Sequence, residues 1–204
     1  DLQFDSPYSN YSLSFDGTGD YVGIVNSSAA PAIFQDIGNS NSYSISSWIN
    51  TTVNDPYTDY WFTNDTIMDL RTEDSSGTHV PFNLSLLSGK LFFARTPNRT
   101  TSFQAFESLT SVNTGSWVHC VATINVNALT FYINGSLDST HTFTTAIGDC
   151  SVGSNTSNFF IAARSADNGG VGSLLPGKID ETAIWNTALT AAQVLEIYNN
   201  GRPK

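Results

Sequence analysis

From Tyr11 to Trp185 the chain repeats short runs in which apolar, β-branched or aromatic residues take alternate positions, each run bounded by Gly, Asn, Asp or Ser. A period of two puts successive side chains on opposite faces of an extended backbone, so each run can bury one face in a sheet. The runs predict strands at Tyr11–Asp16, Tyr21–Val25, Tyr43–Asn50, Thr66–Arg71, Val80–Leu87, Lys90–Arg95, Ser102–Glu107, Trp117–Asn125, Leu129–Asn134, Asn158–Ala163 and Lys178–Trp185. Asn134-Gly135, ahead of a further run from Ser136, predicts a tight hairpin, because both central residues of a type I′ turn need positive φ. The period changes once: Thr190-Ala-Ala-Gln193 reads as a capping box, Val194, Leu195 and Tyr198 supply an apolar stripe, and Gly201 stands at the C-terminal cap. The expected fold is all-β with one short C-terminal helix acting as a lid or plug.

At 204 residues, 40% hydrophobic and 13% charged, the chain can bury a full sandwich core as one domain. Ser, Thr and Asn make up a third of it, which suits an extracellular β-protein. The net charge of −10 repels a phosphate backbone and no Lys/Arg run offers a local exception, so nucleic acid is excluded as a partner. No apolar run reaches the roughly 18 to 20 residues of a membrane span. The opening Asp-Leu-Gln-Phe-Asp has no basic or apolar leader character, as expected of a mature form if the protein is secreted.

Eight Asn-x-Ser/Thr triplets begin at Asn10, Asn26, Asn50, Asn64, Asn83, Asn98, Asn134 and Asn155. Chance would supply roughly four or five at this composition, so the enrichment is modest and suggests a glycoprotein. Cys120 and Cys150 are the pair available for a disulfide, with two buried free thiols as the alternative.

Five stretches occur in a telling order: Ser12-Leu-Ser-Phe-Asp-Gly-Thr-Gly-Asp-Tyr-Val22, Tyr43-Ser-Ile-Ser-Ser-Trp-Ile49, Gly115-Ser-Trp-Val-His-Cys-Val-Ala-Thr123, Leu129-Thr-Phe-Tyr-Ile-Asn-Gly135 and Gly177-Lys-Ile-Asp-Glu-Thr-Ala-Ile-Trp-Asn-Thr-Ala-Leu-Thr190. Together they resemble laminin-G-like jelly-roll domains of the concanavalin A-like lectin/glucanase superfamily, over about residues 11–201. The resemblance implies two antiparallel sheets packed face to face, with residues 1–10 as an N-terminal extension and 202–204 as a tail. It leaves function open, since this fold hosts lectins, adhesion modules, pentraxin-like proteins and glycosidases. Trp48, Trp117 and Trp185 are expected in the core.

Laminarinase-like members of the superfamily carry Glu-x-Asp-x-Glu, a spacing that aims carboxylates at one face of a strand so that two can flank a glycosidic bond. Here Asp180 and Glu181 are adjacent, and regular alternation sends them to opposite faces. No catalytic residue is therefore assigned. Glu181 is expected to reach a backbone or polar partner. Gly172-Ser-Leu-Leu-Pro-Gly-Lys178 imitates a phosphate-binding loop, but Ile179 replaces the metal-binding hydroxyl and a strand follows instead of a helix. His79, His119 and His141 lack metal-ligand spacing.

In related jelly rolls an Asp closing the first motif and carboxylates of the final strand help bind a structural Ca²⁺. The positions the resemblance implies here are Asp16, Asp20 and Asp180. The alternative is that Asp16 and Asp20 only shape their turn. A glycan site is suggested by Tyr57, Asp59, Tyr60 and Trp61, since aromatic faces stack on sugars and carboxylates accept from hydroxyls; a loop pinned by its own aromatics is the competing reading. Asp167-Asn-Gly-Gly170 is a weaker candidate.

In the extension, Leu2 and Phe4 alternate with polar residues as in a strand with one face to bury. That strand can return to its own sheet or add to a neighbouring copy, making the chain its own partner in a filament. The expected function is a non-catalytic extracellular or cell-surface module with a structural or adhesive role. A Ca²⁺-dependent lectin-type domain binding glycans is the alternative, and a glycosidase comes third.

Overall fold

A computed structural model describes residues 11–27, 37, 41–54, 65–74, 77–96, 103–145, 156–165 and 170–201. In chain order the strands begin with β1 (Leu13–Asp16), β2 (Val22–Ser27), β3 (Ser42–Asn50), β4 (Asp65–Asp74), β5 (Gly77–Leu87), β6 (Lys90–Arg95) and β7 (Gln104–Ser111). There follow β8 (Val118–Asn125), β9 (Ala128–Ile133), β10 (Ser136–Thr142), β11 (Thr156–Ile161), β12 (Arg164–Ser165), β13 (Val171–Gly172) and β14 (Pro176–Trp185), and then helix α1 (Ala191–Asn200). One sheet has the order β1-β14-β3-β8-β9-β10, the other β2-β11-β4-β5-β6-β7, and β12 pairs with β13 alone. Their ladders are antiparallel, giving the expected jelly-roll sandwich.

Alternation builds the core. Tyr43, Ile45 and Ile49 of β3 and Val118, Cys120, Ala122 and Ile124 of β8 face the opposite sheet, meeting Met68, Leu70, Phe82, Leu84, Leu91 and Phe93. Their complementary positions do not meet solvent. Trp48, His119 and Val121 lie under the stretch that leads through Leu189 into α1. Trp48 stacks on Tyr198, with ring centroids 5.4 Å apart and planes 17° from parallel. The helix thus closes a second, smaller core of Val121, Tyr132, Leu189 and Val194, against which Trp185 and Ile197 pack.

The predicted helix start is present. The Gln193 backbone N–H donates to the Thr190 hydroxyl at 3.3 Å, and the Thr190 N–H donates back to Gln193 Oε1 at 2.9 Å. Gly201 caps the other end at φ −111°, so no left-handed residue is used. Space is what calls for glycine there: a Cβ would stand 3.0 Å from the Ile197 carbonyl oxygen. The β9–β10 hairpin has the predicted pair of positive φ values, 51° at Asn134 and 76° at Gly135.

The two lateral edges of the sandwich differ. Where β7 and β10 face each other the seam is shut. Asp138 accepts from the Leu109 and Thr110 N–H groups at 2.7 and 2.9 Å, Gln104 donates to Thr144 at 2.6 Å, and Phe106 stacks on His141 at 4.7 Å. At the β1/β2 edge, Leu13, Val22 and Ile24 stay 52%, 42% and 43% exposed.

Candidate functional site

Asp16 serves the turn between β1 and β2. Its Oδ1 accepts from the Thr18 and Gly19 N–H groups at 2.7 and 3.0 Å, and its Oδ2 accepts from the Thr18 hydroxyl at 2.7 Å. These bonds, led by that hydroxyl, hold its carboxyl well below the usual range. Asp180 is far from it: β1 pairs with β14 so that Asp16 opposes Pro176, four residues or roughly 13 Å along the strand from Asp180. Among the described residues no three His, Cys, Asp or Glu groups converge as a metal site. The set Asp16, Asp20, Asp180 does not fit a shared Ca²⁺, because Asp16 is committed to its own turn and Asp180 lies at the far end of the ladder.

The expected divergence of Asp180 and Glu181 fails as well. The β14–β3 register shifts between Asp180 and Ala183, and Glu181 takes φ 46°, a bulge that breaks the period of two. Both acids therefore line one recess of about 180 Å³, floored by Leu13, Ile161 and Ile179 and flanked by Tyr11. Burial pushes the Asp180 carboxyl up, against the Glu181 N–H that it accepts at 2.9 Å. Glu181 is raised by burial and then by the charge of Asp180. The two hang from one bulge and approach from the same wall, whereas glycoside hydrolysis needs carboxyl groups on either side of the bond.

A larger groove, about 440 Å³, lies where Asp16 ends β1. Ser14, Asn50, Thr52, Gly177 and Lys178 are among its lining residues. Thr51 fixes its wall, donating to the Pro176 carbonyl at 2.6 Å and accepting from the Val53 N–H at 3.1 Å. Gly177 must be glycine: its φ is 147°, and a Cβ would sit 2.7 Å from the Asn50 carbonyl oxygen. Sequence reasoning did not pick out this groove. Its only signal was Gly177 itself, attributed there to an imitation phosphate loop. The groove falls within the roughly 300 to 1,000 Å³ of small-molecule sites, and the acidic recess falls below it.

A buried polar cluster covers the outer face of the second sheet. Asp69 accepts from Asn83 Nδ2 at 2.8 Å, Arg71 Nε at 3.1 Å and the Ser165 N–H at 3.2 Å. Burial pushes its carboxyl up, against the pull of Arg71, Asn83, Ser165 and Arg164. This corrects the sequon at Asn83: its amide is buried and donating inward, so an attached sugar has no way out. Asn134 stands exposed in its turn, and Asn50 is half-buried in the larger groove. The side chain of Asn26 is not among those described, and Asn10, Asn64, Asn98 and Asn155 lie outside the described residues.

Tyr57, Asp59, Tyr60 and Trp61 also lie outside the described residues, as do Leu2, Phe4, Cys150 and Asp167 to Gly169. Cys120 is a free thiol wholly enclosed between the sheets, and burial pushes its pKa up. Of the tryptophans, Trp48 is fully buried and Trp117 and Trp185 are half-buried.

With this geometry in place, comparison with known proteins is informative about the fold. A laminin-G-like family profile, described as the concanavalin A-like lectin/glucanases superfamily, matches residues 16–195. A search of curated proteins finds no match. Among solved structures, the native heptameric SAP-like pentraxin of Limulus polyphemus aligns with a TM-score of 0.60 at 15% identity, over 92% of this chain and 81% of that one. Domain 4 of an extracellular arabinanase from Geobacillus stearothermophilus, in complex with arabinotriose, aligns at 0.60 and 19% identity, over 92% and 76%. A botulinum neurotoxin type C structure, whose cell entry is described as dependent on two ganglioside molecules, aligns at 0.59 and 16%, over 92% of this chain but 42% of that one.

Proposed function

Since the chain belongs to the laminin-G-like family of the concanavalin A-like lectin/glucanase superfamily, we propose that it is a non-catalytic carbohydrate-binding module with an adhesive or structural role outside the cell. The observation that carries this reading is the 440 Å³ groove beside β1 and β14. Sugars present many hydroxyls on a compact ring, and this groove offers hydroxyl, amide and ammonium groups from Ser14, Thr52, Asn50 and Lys178 around a wall that Gly177 allows to approach closely. Lys178 is exposed, one of only 8 basic residues against 18 acidic ones, and supplies a local cation for a sugar carboxylate. The arabinotriose complex of the arabinanase domain and the ganglioside dependence of the toxin support the choice of ligand class. A glycan on exposed Asn134 is part of the same proposal.

The test is a glycan array that includes arabino-oligosaccharides and acidic sugars, run on the wild type and on Lys178→Ala. Wild-type binding that weakens about tenfold in the variant is the expected result, the loss of one charge-assisted hydrogen bond. Silence across the array sinks the reading. Release of reducing ends from any bound sugar would show that the module is an enzyme.

A further inference from the structure

The exposed apolar residues at the β1/β2 edge do not face outward. Leu13 opposes Ile179 across the β1–β14 ladder, and Ile179 is a core residue. Val22 opposes Ile161, and Ile24 opposes Phe159, both packed against the core. Residues directly opposed across an antiparallel pair share a face, so Leu13, Val22 and Ile24 all point into the seam between the sheets. About half of each side chain nevertheless remains open. The recess of about 180 Å³ lies in the same seam, between Leu13, Ile161 and Ile179. At the β7/β10 edge the equivalent seam is filled by Phe106, His141 and Phe143 and latched by Asp138. Among the described residues the sandwich is thus filled on one side and short of apolar filling on the other. β1 and β2 are also the terminal strands of their sheets among the described residues, so the open seam is bordered by two backbone edges.

We propose that this seam accepts a β-strand from residues 1–6 of a second copy of the chain, with Leu2 and Phe4 turned in against Leu13, Val22 and Ile24 and the strand backbone paired to one of the two edges. The chemistry matches: Leu2 and Phe4 are two residues apart, the spacing that puts both on one face, while Gln3 and Asp5 turn to solvent. Reach matches too. Ten residues precede Tyr11, and an extended stretch of that length spans roughly 33 Å, about the length of one of the longer strands here. β14 runs on from Ile179 to Trp185 without a partner on its β1 side among the described residues, so a backbone edge stands free beside the recess. A donor on one copy and a seam on the next form a head-to-tail joint that repeats without closing. The glycan groove takes no part in the joint, so this inference is independent of sugar binding.

The test uses complementation. The double variant Leu2→Asp/Phe4→Asp lacks the donor face, and Val22→Arg/Ile24→Arg lacks the acceptor; near-UV circular dichroism first checks that each keeps wild-type tertiary signal. By analytical ultracentrifugation the wild type is expected to form species that grow with concentration, and each variant alone to stay monomeric. Mixing the two variants restores one joint and gives a heterodimer, at least a tenfold gain in association over either alone. A wild type that is monomeric at every concentration overturns the proposal. So does a mixture that never pairs, because the segment then closes its own copy's seam, and so does a donor variant that assembles as well as the wild type. Should the acceptor variant fail the folding check, the wild type mixed with a chain lacking residues 1–10 replaces it, with growth capped at one end as the expected result and unchanged growth as the contrary one.

Discussion

The imidazole of His119 lies against the indole of Trp48, ring centroids 5.1 Å apart, with the Tyr198 ring of α1 6.0 Å from it on the helix side. Neither imidazole nitrogen has a hydrogen-bond partner among the described residues, and burial lowers its pKa from 6.5 to about 4. In the unfolded chain His119 takes its proton near pH 6.5; in the folded chain it resists until about pH 4. The unfolded state therefore binds more protons in that window, and stability falls as pH drops through it, by about 3 kcal/mol at the lower limit. Urea midpoints at pH 7 and pH 4 for the wild type and His119→Phe check this. The variant should lose less stability on acidification, and equal losses would contradict the assignment.

Removing Asp69 leaves Arg71 and Asn83 facing an empty buried position. Asp69→Ala is expected to destabilise by about 1 to 3 kcal/mol, because the buried Asn83 amide and Ser165 N–H lose their acceptor. Thermal unfolding of the variant measures it, and a loss under 1 kcal/mol would mean that water replaces the carboxylate.

Asp138 latches β10 to β7 through two backbone N–H groups. Asp138→Ala should cost about 1 to 2 kcal/mol and speed amide exchange at Leu109 and Thr110 specifically. Exchange that quickens throughout the sheet instead would argue against a local latch.

Gly177→Ala places a Cβ 2.7 Å from the Asn50 carbonyl oxygen, on backbone at φ 147°. Because the clash lies in the wall of the polar groove, glycan binding should fall at least tenfold while Lys178→Ala, at an exposed side chain, leaves the melting temperature within about 1 °C. Titration calorimetry with the best array sugar, alongside thermal melts, separates the two effects.

Glu181 carries both a left-handed backbone and a like-charged neighbour. Asparagine tolerates that backbone and removes the charge, so Glu181→Asn should stabilise by about 0.5 kcal/mol at pH 7, mostly through the backbone because solvent screens the charge of this exposed side chain. Its raised pKa means that the folded state disfavours the ionised form, so the gain should shrink as the pH falls and the acid takes its proton. A destabilised variant would reveal a partner for this carboxylate.

Periodicity determined that the chain is all-β, because a side-chain period of two is written directly in residues such as Tyr43 to Ile49, while the two-sheet sandwich was implied by the resemblance of five ordered motifs to laminin-G-like domains; the hairpin at Asn134-Gly135 and the Thr190–Gln193 cap depend only on neighbours a few positions apart. The same local rule misled at Asp180 and Glu181, where a bulge against β3 turns adjacent acids onto one recess. Register between strands far apart in the chain, invisible to local pattern, decided that. It also set Asp16 and Asp180 at opposite ends of one ladder, drew Asp69, Asn83 and Ser165 into a single buried cluster, and gathered Asn50, Thr52 and Lys178 around a groove. Which seam is latched and which lies open is likewise a property of how the two sheets stack, since Leu13 and Phe106 carry the same alternation and only packing distinguishes a covered apolar side chain from one still lacking a neighbour.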